Sequence, residues 1–501
     1  MMNIKYIKST ALLSIGLLLG SCSGSFLDEK PNGYINNDQI EENAKWNPNI
    51  MLGVAAGTAQ KTFAQGTGGT TNHDDFGQKS VDIATDLMSG DMLMAGTSYG
   101  WFVADAQLQN NTKDRNRAYE IWRYYFQIIK AANAVFDNLG GDENMPEEGD
   151  NRTYYGQAKA FRAYAYLNLV NLYARPYEES KDTKALPIYR SQLNGASASL
   201  STVDEVYTLV INDLNDAVTA LQGSDRNQKK GTTGEVKDVA DEYVAGGLLA
   251  YAYLQKGEYA KAAEAAKTVI EGGKYTMLTA DRALSTGFNS DQLEDFMWAI
   301  DLTTDNSPAL PTFWGQVDVF TYSYAAAGDA KVIPDNLYEQ IPETDCRKNW
   351  FVDNKSFGLI PAGKFYDSAR QVMGNRRWDE DEVYMRLEEM YLIWSEASAR
   401  NNDLTTARTA LKDLLENRDP TVAATVDQMD KETLLNQLYY NWRVEMWGEG
   451  RGLMTMKRFK ATVTRGSNDA TPLATKEIKW DDSRLYFAIP ERETTNNPNI
   501  Q

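Results

Sequence analysis

Cysteine and histidine are nearly absent: Cys22, Cys346 and a single histidine, His73, are all that 501 residues contain. Zinc sites built from several histidines are excluded on that count alone. A Ser-His-Asp or Cys-His device would have to use His73, and nothing around it marks a nucleophile's context. The Walker loop and the dinucleotide fingerprint are both missing. After the amino-terminal segment no run is apolar and long enough to cross a bilayer. Positive charge is scarce as well, with 51 Lys and Arg against 70 Asp and Glu for a net charge of −19. So acidic a surface repels phosphate backbones and argues against a nucleic-acid partner. Two carboxylates acting as an acid–base pair stay open, but no pair stands out.

What is present begins at the amino terminus. Lys5 and Lys8 precede an apolar run from Ala11 to Leu19, then Gly20, Ser21 and Cys22. A basic start, a short apolar core and small residues before a cut describe a signal peptide over residues 1–21. Leu19-Gly20-Ser21-Cys22 resembles a bacterial lipobox, in which the cysteine accepts diacylglycerol and the new amino terminus a fatty acid such as palmitate. The expectation is a body, residues 22–501, tethered to a membrane by lipid at Cys22, since each buried CH₂ contributes about 0.8 kcal/mol. With Cys22 acylated, Cys346 has no partner, and packing alone must hold the fold. A hydrophobic fraction of 42% and an aromatic fraction of 11% suffice for a sizeable core.

Helical spacing dominates the body. Trp122, Phe126, Ile129, Asn133 and Phe136 recur at three- and four-residue steps, as do Ala158, Phe161, Ala165, Asn168 and Leu172. Thr202-Val203-Asp204-Glu205 is a capping box that opens a third helix, closing at Gly223. Leu249-Ala250-Tyr251-Ala252-Tyr253, Gly257-Glu258-Tyr259, Ala262 and Ala266 fit the small/large alternation of a tetratricopeptide helix pair. Trp394, Ala397, Asn402-Asp403-Leu404 and Ala407 supply a second copy. The segments 245–272 and 390–417 are therefore expected to be helical hairpins. Between them, residues 275–375 are rich in Gly, Pro, Asp, Asn and Tyr and read as long loops with some short strands. The fold class is mainly α.

The order of these pieces resembles the SusD/RagB family of outer-membrane lipoproteins along essentially the whole chain. Besides the lipobox, the matching pieces are Phe26-Leu27-Asp28-Glu29-Lys30-Pro31, Ala131-Ala132-Asn133, Ala160-Phe161-Arg162-Ala163-Tyr164 and Leu186-Pro187-Ile188. Nearer the end they are Arg443-Val444-Glu445-Met446-Trp447-Gly448-Glu449-Gly450-Arg451, Lys457-Arg458-Phe459, Ile489-Pro490 and Asn497-Pro498. Thr455 and Phe459 depart from the usual hallmark, where an acid and a tryptophan are common. The resemblance implies one SusD-like domain over 22–501, with an N-terminal part 22–240 and a C-terminal part 241–501 carrying the loop-rich insert of about 275–375. It implies a non-catalytic protein on the outer face of the outer membrane that binds a nutrient, most often a glycan. Its expected partner is a SusC-like TonB-dependent β-barrel, over which it closes as a lid.

Sugar rings stack C–H faces on aromatics while their hydroxyls seek amides and carboxylates. Two loop clusters have that makeup. One is Tyr99-Gly100-Trp101-Phe102 with Asn110 and Asn111; the other is Phe313-Trp314-Gly315-Gln316 with Phe320, Tyr322 and Tyr324. The resemblance places binding aromatics in roughly these two regions. Trp101 and Trp314 are the expected stacking residues, with Tyr99, Tyr322, Tyr324 and Asn110 beside them. Plain packing of each loop onto the body is the competing reading. Trp122, Tyr125, Tyr166, Trp394 and Trp442 read as core, and Glu449 and Arg451 as an ion pair at a helix end. The acidic stretch Gly68–Asp91 reads as a solvated turn with helix caps and His73 as a surface residue; no cofactor is implied, although a structural calcium stays open there. Peptide binding by the same architecture, a lipid-anchored hydrolase using two carboxylates, and a tetratricopeptide assembly scaffold are the alternatives.

Overall fold

A computed structural model of the chain describes residues 49–192, 197–224, 236–374 and 376–500. The chain divides into two compact units, Met1–Met51 and Leu52–Gln501. Only residues 49–51 of the first are described, so the signal peptide, Cys22 and the tether lie outside the described residues. The second unit carries the helical body.

Its first fully buried helix, α1 (Gln78–Ser89), stops at Gly90, whose left-handed φ of 81° few other residues adopt. Strand β1 (Leu93–Met94) follows, then α2 (Asn116–Asn138) and α3 (Gly149–Tyr173). The apolar stripe of α2 faces the core, whereas α3 is buried on most sides, so it lies in the middle of the body. Helix α4 (Val203–Leu221) opens on the expected capping box: Glu205 N–H donates to Thr202 Oγ1 (3.2 Å) and Thr202 N–H to Glu205 Oε2 (2.7 Å). Helices α5 (Glu242–Lys256) and α6 (Tyr259–Glu271) form one hairpin, turning at Gly257. Strand β2 (Phe296–Ile300) and strand β3 (Lys331–Val332) lie in the loop-rich stretch, ahead of β4 (Glu382–Arg386). Helices α7 (Leu387–Arg400) and α8 (Leu404–Glu416) form the second hairpin, and α9 (Lys431–Glu445) closes on α7.

From α2 to α8 each helix packs on the next in chain order, so the body is a row of paired helices. The alanines explain how closely they approach: Ala250, Ala262, Ala266, Ala397 and Ala407 are all fully buried between neighbouring helices. Of the helical aromatics, Trp122, Tyr125, Tyr166 and Trp442 are buried, whereas Trp394 is only partly covered. Strands, among the described residues, pair two by two. β2 runs antiparallel to β4, with Ile300 opposite Glu382 and Phe296 opposite Arg386. β1 runs antiparallel to β3, with Leu93 opposite Val332 and Met94 opposite Lys331. A second core, rich in aromatic rings and including Phe76, Phe102, Phe313, Trp314 and Phe365, also takes in residues of α1, β1, β2, β4 and α9.

Candidate functional site

The β1–β3 ladder sets two loops distant in sequence against each other. Ala95 N–H extends it by donating to Ala330 C=O (2.8 Å). The next residue must be glycine: a Cβ on Gly96 would lie 1.9 Å from the Gly328 oxygen. The Asp329 carboxylate then accepts the N–H groups of Ser98 and Tyr99, the latter at 2.9 Å, and fixes the turn that presents Tyr99 and Trp101. On the opposing loop the Asp318 carboxylate accepts Phe320 N–H (3.0 Å) and Thr321 N–H (3.1 Å). A third segment enters from residues 66–76. There Asp75 accepts Gly68 N–H (2.9 Å) and Thr70 N–H (3.0 Å), and Arg117 pairs with Asp74 (2.8 Å) and Asp105 (3.1 Å). The Gln316 amide donates to His73 C=O (3.1 Å) and accepts from the buried Lys331 Nζ (3.0 Å), tying this segment to the second loop.

Four rings meet where the segments converge. Tyr99 is 53% exposed and meets Tyr324 edge-on, with centroids 4.9 Å apart at 68°. Trp101, half-buried, meets Tyr324 at 6.3 Å and 67°. His73 lies flat against Trp101, 5.5 Å away with planes 11° apart, and its Nδ1 hydrogen-bonds the Tyr324 hydroxyl. Burial raises the pKa of that hydroxyl above its ordinary 10. Tyr322, half-buried, sits further along the same loop, with the Arg376 guanidinium 4.5 Å from its ring centre. The rings form an angled trough open along Tyr99, so Tyr99 presents most of the surface while His73 covers one face of Trp101.

Several sequence-based assignments change. Trp314 is 1% exposed and packs against Phe313 (5.6 Å) and Phe365 (6.4 Å) in the aromatic core, so it offers no face to a ligand. The short helix Phe313–Val317, capped by Thr312, turns the whole first half of that cluster inward. Asn110 donates to Asp105 (3.1 Å), which supports the Arg117 cluster rather than a ligand. Only 7% of Tyr324 is exposed, so it forms the floor of the trough. The acidic stretch is largely not solvated: Asp75, Asp82, Asp86 and Asp91 are buried. Asp86 accepts Gly450 and Gly452 N–H (both 3.1 Å), and Asp91 pairs with Arg443 (2.6 Å). Among the described residues no group of three or more His, Cys, Asp or Glu side chains is placed to hold a metal ion. His73 is a working part of the aromatic cluster, not a bystander. The run Gly96-Thr97-Ser98-Tyr99-Gly100 has the Gly-x-Ser-x-Gly spacing. It is no nucleophile elbow, because Ser98 lacks a left-handed backbone and the imidazole bonds Tyr324.

The carboxy-terminal motif does structural work. Glu449 and Arg451 are not each other's ion-pair partners: Arg451 pairs with Glu389 (2.8 Å), and Glu449 with Arg386 (2.9 Å) and Lys364 (2.6 Å). Burial works against the Glu449 carboxylate, but Arg386 and Lys364 hold its pKa at about 2. Glu445 sits among Arg347 (3.2 Å), Arg386 (3.2 Å) and Arg418 (3.0 Å), all fully buried. This network locks β4, α9 and the turn after α9 behind the second core.

A body of paired helices whose long loops bring a cluster of aromatic rings together is the architecture to be compared with known proteins. Residues 26–233 match the SusD-like family model described as starch-binding associating with outer membrane, and residues 330–501 match that of the SusD family. The chain belongs to the SusD/RagB family. Similar solved structures include a SusD-like carbohydrate binding protein from Bacteroides vulgatus, 23% identical, with TM-score 0.73 over 90% of this chain and 97% of that one. A SusD superfamily protein from Bacteroides thetaiotaomicron is 20% identical, with TM-score 0.72 over 90% and 98%. Surface glycan-binding protein A from Bacteroides uniformis is 16% identical, with TM-score 0.66 over 91% and 99%. No curated protein matches the chain in sequence.

Proposed function

We propose that this protein is a lipid-anchored outer-membrane protein, facing the cell exterior, that binds a glycan or oligosaccharide without catalysis and delivers it to a SusC-like TonB-dependent transporter. The observation that carries the binding role is the convergence of Tyr99 and Trp101 on Tyr324, from segments about 225 positions apart in the sequence. Evolving such a junction solely to pack a loop would not require leaving Tyr99 half in water. The family's description supports the membrane setting and a sugar ligand, as do the names of the related structures. Among the described residues no helix is long and apolar enough to cross a membrane, so the reading assigns anchoring to Cys22. Affinity electrophoresis against a panel of soluble polysaccharides tests the site. Tyr99→Ala and Trp101→Ala should each weaken binding of the retained glycan by about tenfold or more, with helix content unchanged. Retention unchanged in both variants would remove the trough as the site.

A further inference from the structure

Three arginines lie close together in sequence beside the second aromatic loop, flanked by acids at Asp367 and Asp379–Asp381. The segment Ser368–Trp378 carries Arg370, Arg376 and Arg377 in a chain whose net charge is −19. Its described residues run along the second aromatic loop: Met373 N–H donates to Val319 C=O (3.2 Å), Thr321 Oγ1 to Arg377 C=O (2.9 Å) and Trp378 Nε1 to Tyr322 C=O (2.8 Å). Arg377 is neutralised by Asp379 at 2.6 Å. The other two are not. Among the described residues neither Arg370 nor Arg376 has a carboxylate partner, although both are exposed. Instead each guanidinium lies over rings, Arg370 at 3.9 Å from Tyr366 and 5.0 Å from Phe320, Arg376 at 4.5 Å from Tyr322. One Arg370 nitrogen is used, donating to Ala362 C=O (3.0 Å).

The nearby acids Glu380 and Asp367 accept hydrogen bonds from the loop itself: Glu380 accepts Ser368 N–H and Oγ–H (both 3.2 Å), and Asp367 accepts Ala369 N–H (2.8 Å). A guanidinium held flat on a ring keeps its in-plane N–H donors at the edge, where they match the two oxygens of a carboxylate or sulfate. Stacking also fixes the side chain, so less freedom is lost on binding.

From this arrangement we infer that the ligand is an anionic glycan, one carrying uronate carboxylates or sulfate esters, read by Arg370 and Arg376 along the second aromatic loop, where they lie over Phe320 and Tyr322. The inference rests on the glycan-binding reading above and narrows it.

Polygalacturonate supplies carboxylates only, carrageenan sulfates only and amylopectin neither. The expected result is retention by at least one of the two anionic probes and weaker retention by amylopectin. Binding to the anion should fall as salt passes about 0.1 M, where the screening length is about 10 Å. Arg370→Gln/Arg376→Gln should lose about tenfold or more for that anion, while Arg376→Lys, keeping charge but not the planar fork, should lose less. Whichever anion is retained names the acidic group. Tyr99-dependent binding of amylopectin that exceeds both anions, or anion binding unchanged in the double variant, overturns the inference and leaves glycan binding standing. No retention by any glycan across a wider neutral panel overturns both.

Discussion

Glu445→Gln removes one buried negative charge while keeping the side chain's volume, and the network around it sets the expected cost. The carboxylate accepts from Arg347 Nη1 (3.2 Å), Arg386 Nη1 (3.2 Å), Arg418 Nε (3.0 Å) and Arg418 Nη2 (3.2 Å). Breaking one side of a buried ion pair costs about 3–5 kcal/mol. Each arginine keeps another acid: Asp345 for Arg347, Glu449 for Arg386 and Glu388 for Arg418. The expected loss therefore falls at the lower end, about 3 kcal/mol. Urea denaturation near neutral pH, followed by circular dichroism, reads it directly. The pH dependence supplies a second check. Burial alone would raise the Glu445 pKa, yet Arg418, Arg386 and Arg347 overcome it and hold the group well below its ordinary 4.5. A depressed carboxyl stabilises fully above its unfolded pKa, and that contribution is lost as pH falls towards the folded value. The gap between wild type and variant should thus be widest near neutrality and narrow below about pH 4.5. A variant within about 0.5 kcal/mol of wild type at neutral pH, the scale of an exposed pair, would refute the network as a clamp.

Trp314→Ala should empty part of the aromatic core and cost about 3–5 kcal/mol in the same assay, with glycan affinity per folded molecule unchanged. Gly96→Ala should push the two site loops apart, costing about 1–3 kcal/mol and weakening glycan retention more than Trp314→Ala does. Cys22→Ala should release the protein from membranes in a host lacking the transporter, as fractionation would show; a variant that stays bound would remove the lipid anchor from the proposal.

The helical frame was legible because its signals are local. The capping box at Thr202 and the left-handed glycine at Gly257 each act within one turn, and each sits where its spacing puts it. The site was only half legible. Sequence identifies aromatic-rich loops but not which ring faces water, and Trp314 and Tyr99 are indistinguishable in that respect until the Thr312 cap turns one inward. His73 carried no signal, since its place depends on Gln316, which lies 243 positions away. The buried charges were misread for a related reason. An acid such as Asp86 or Asp91 looks solvated until the backbone donors or the arginine that receive it arrive from elsewhere in the chain. That no carboxylate among the described residues pairs with Arg370 or Arg376 is likewise visible only in the fold.

The two-residue ladder between β1 and β3 has a consequence for how the protein comes to be active. It joins positions separated by most of the row of helices, and the Asp329 bond to Tyr99 spans 230 residues. Such a contact contributes heavily to contact order, and its loop-closure entropy must be met before the pairing returns anything. The helical hairpins can form from neighbouring residues, whereas the trough can exist only after the chain has closed upon itself. Hydrogen exchange should find the Ala95 and Tyr99 amides opening more readily than those of α3, and a saturating glycan should protect them selectively. Ligand capture therefore reports on completed folding: a chain halted at the helical stage would display hairpins and have nothing with which to hold a sugar.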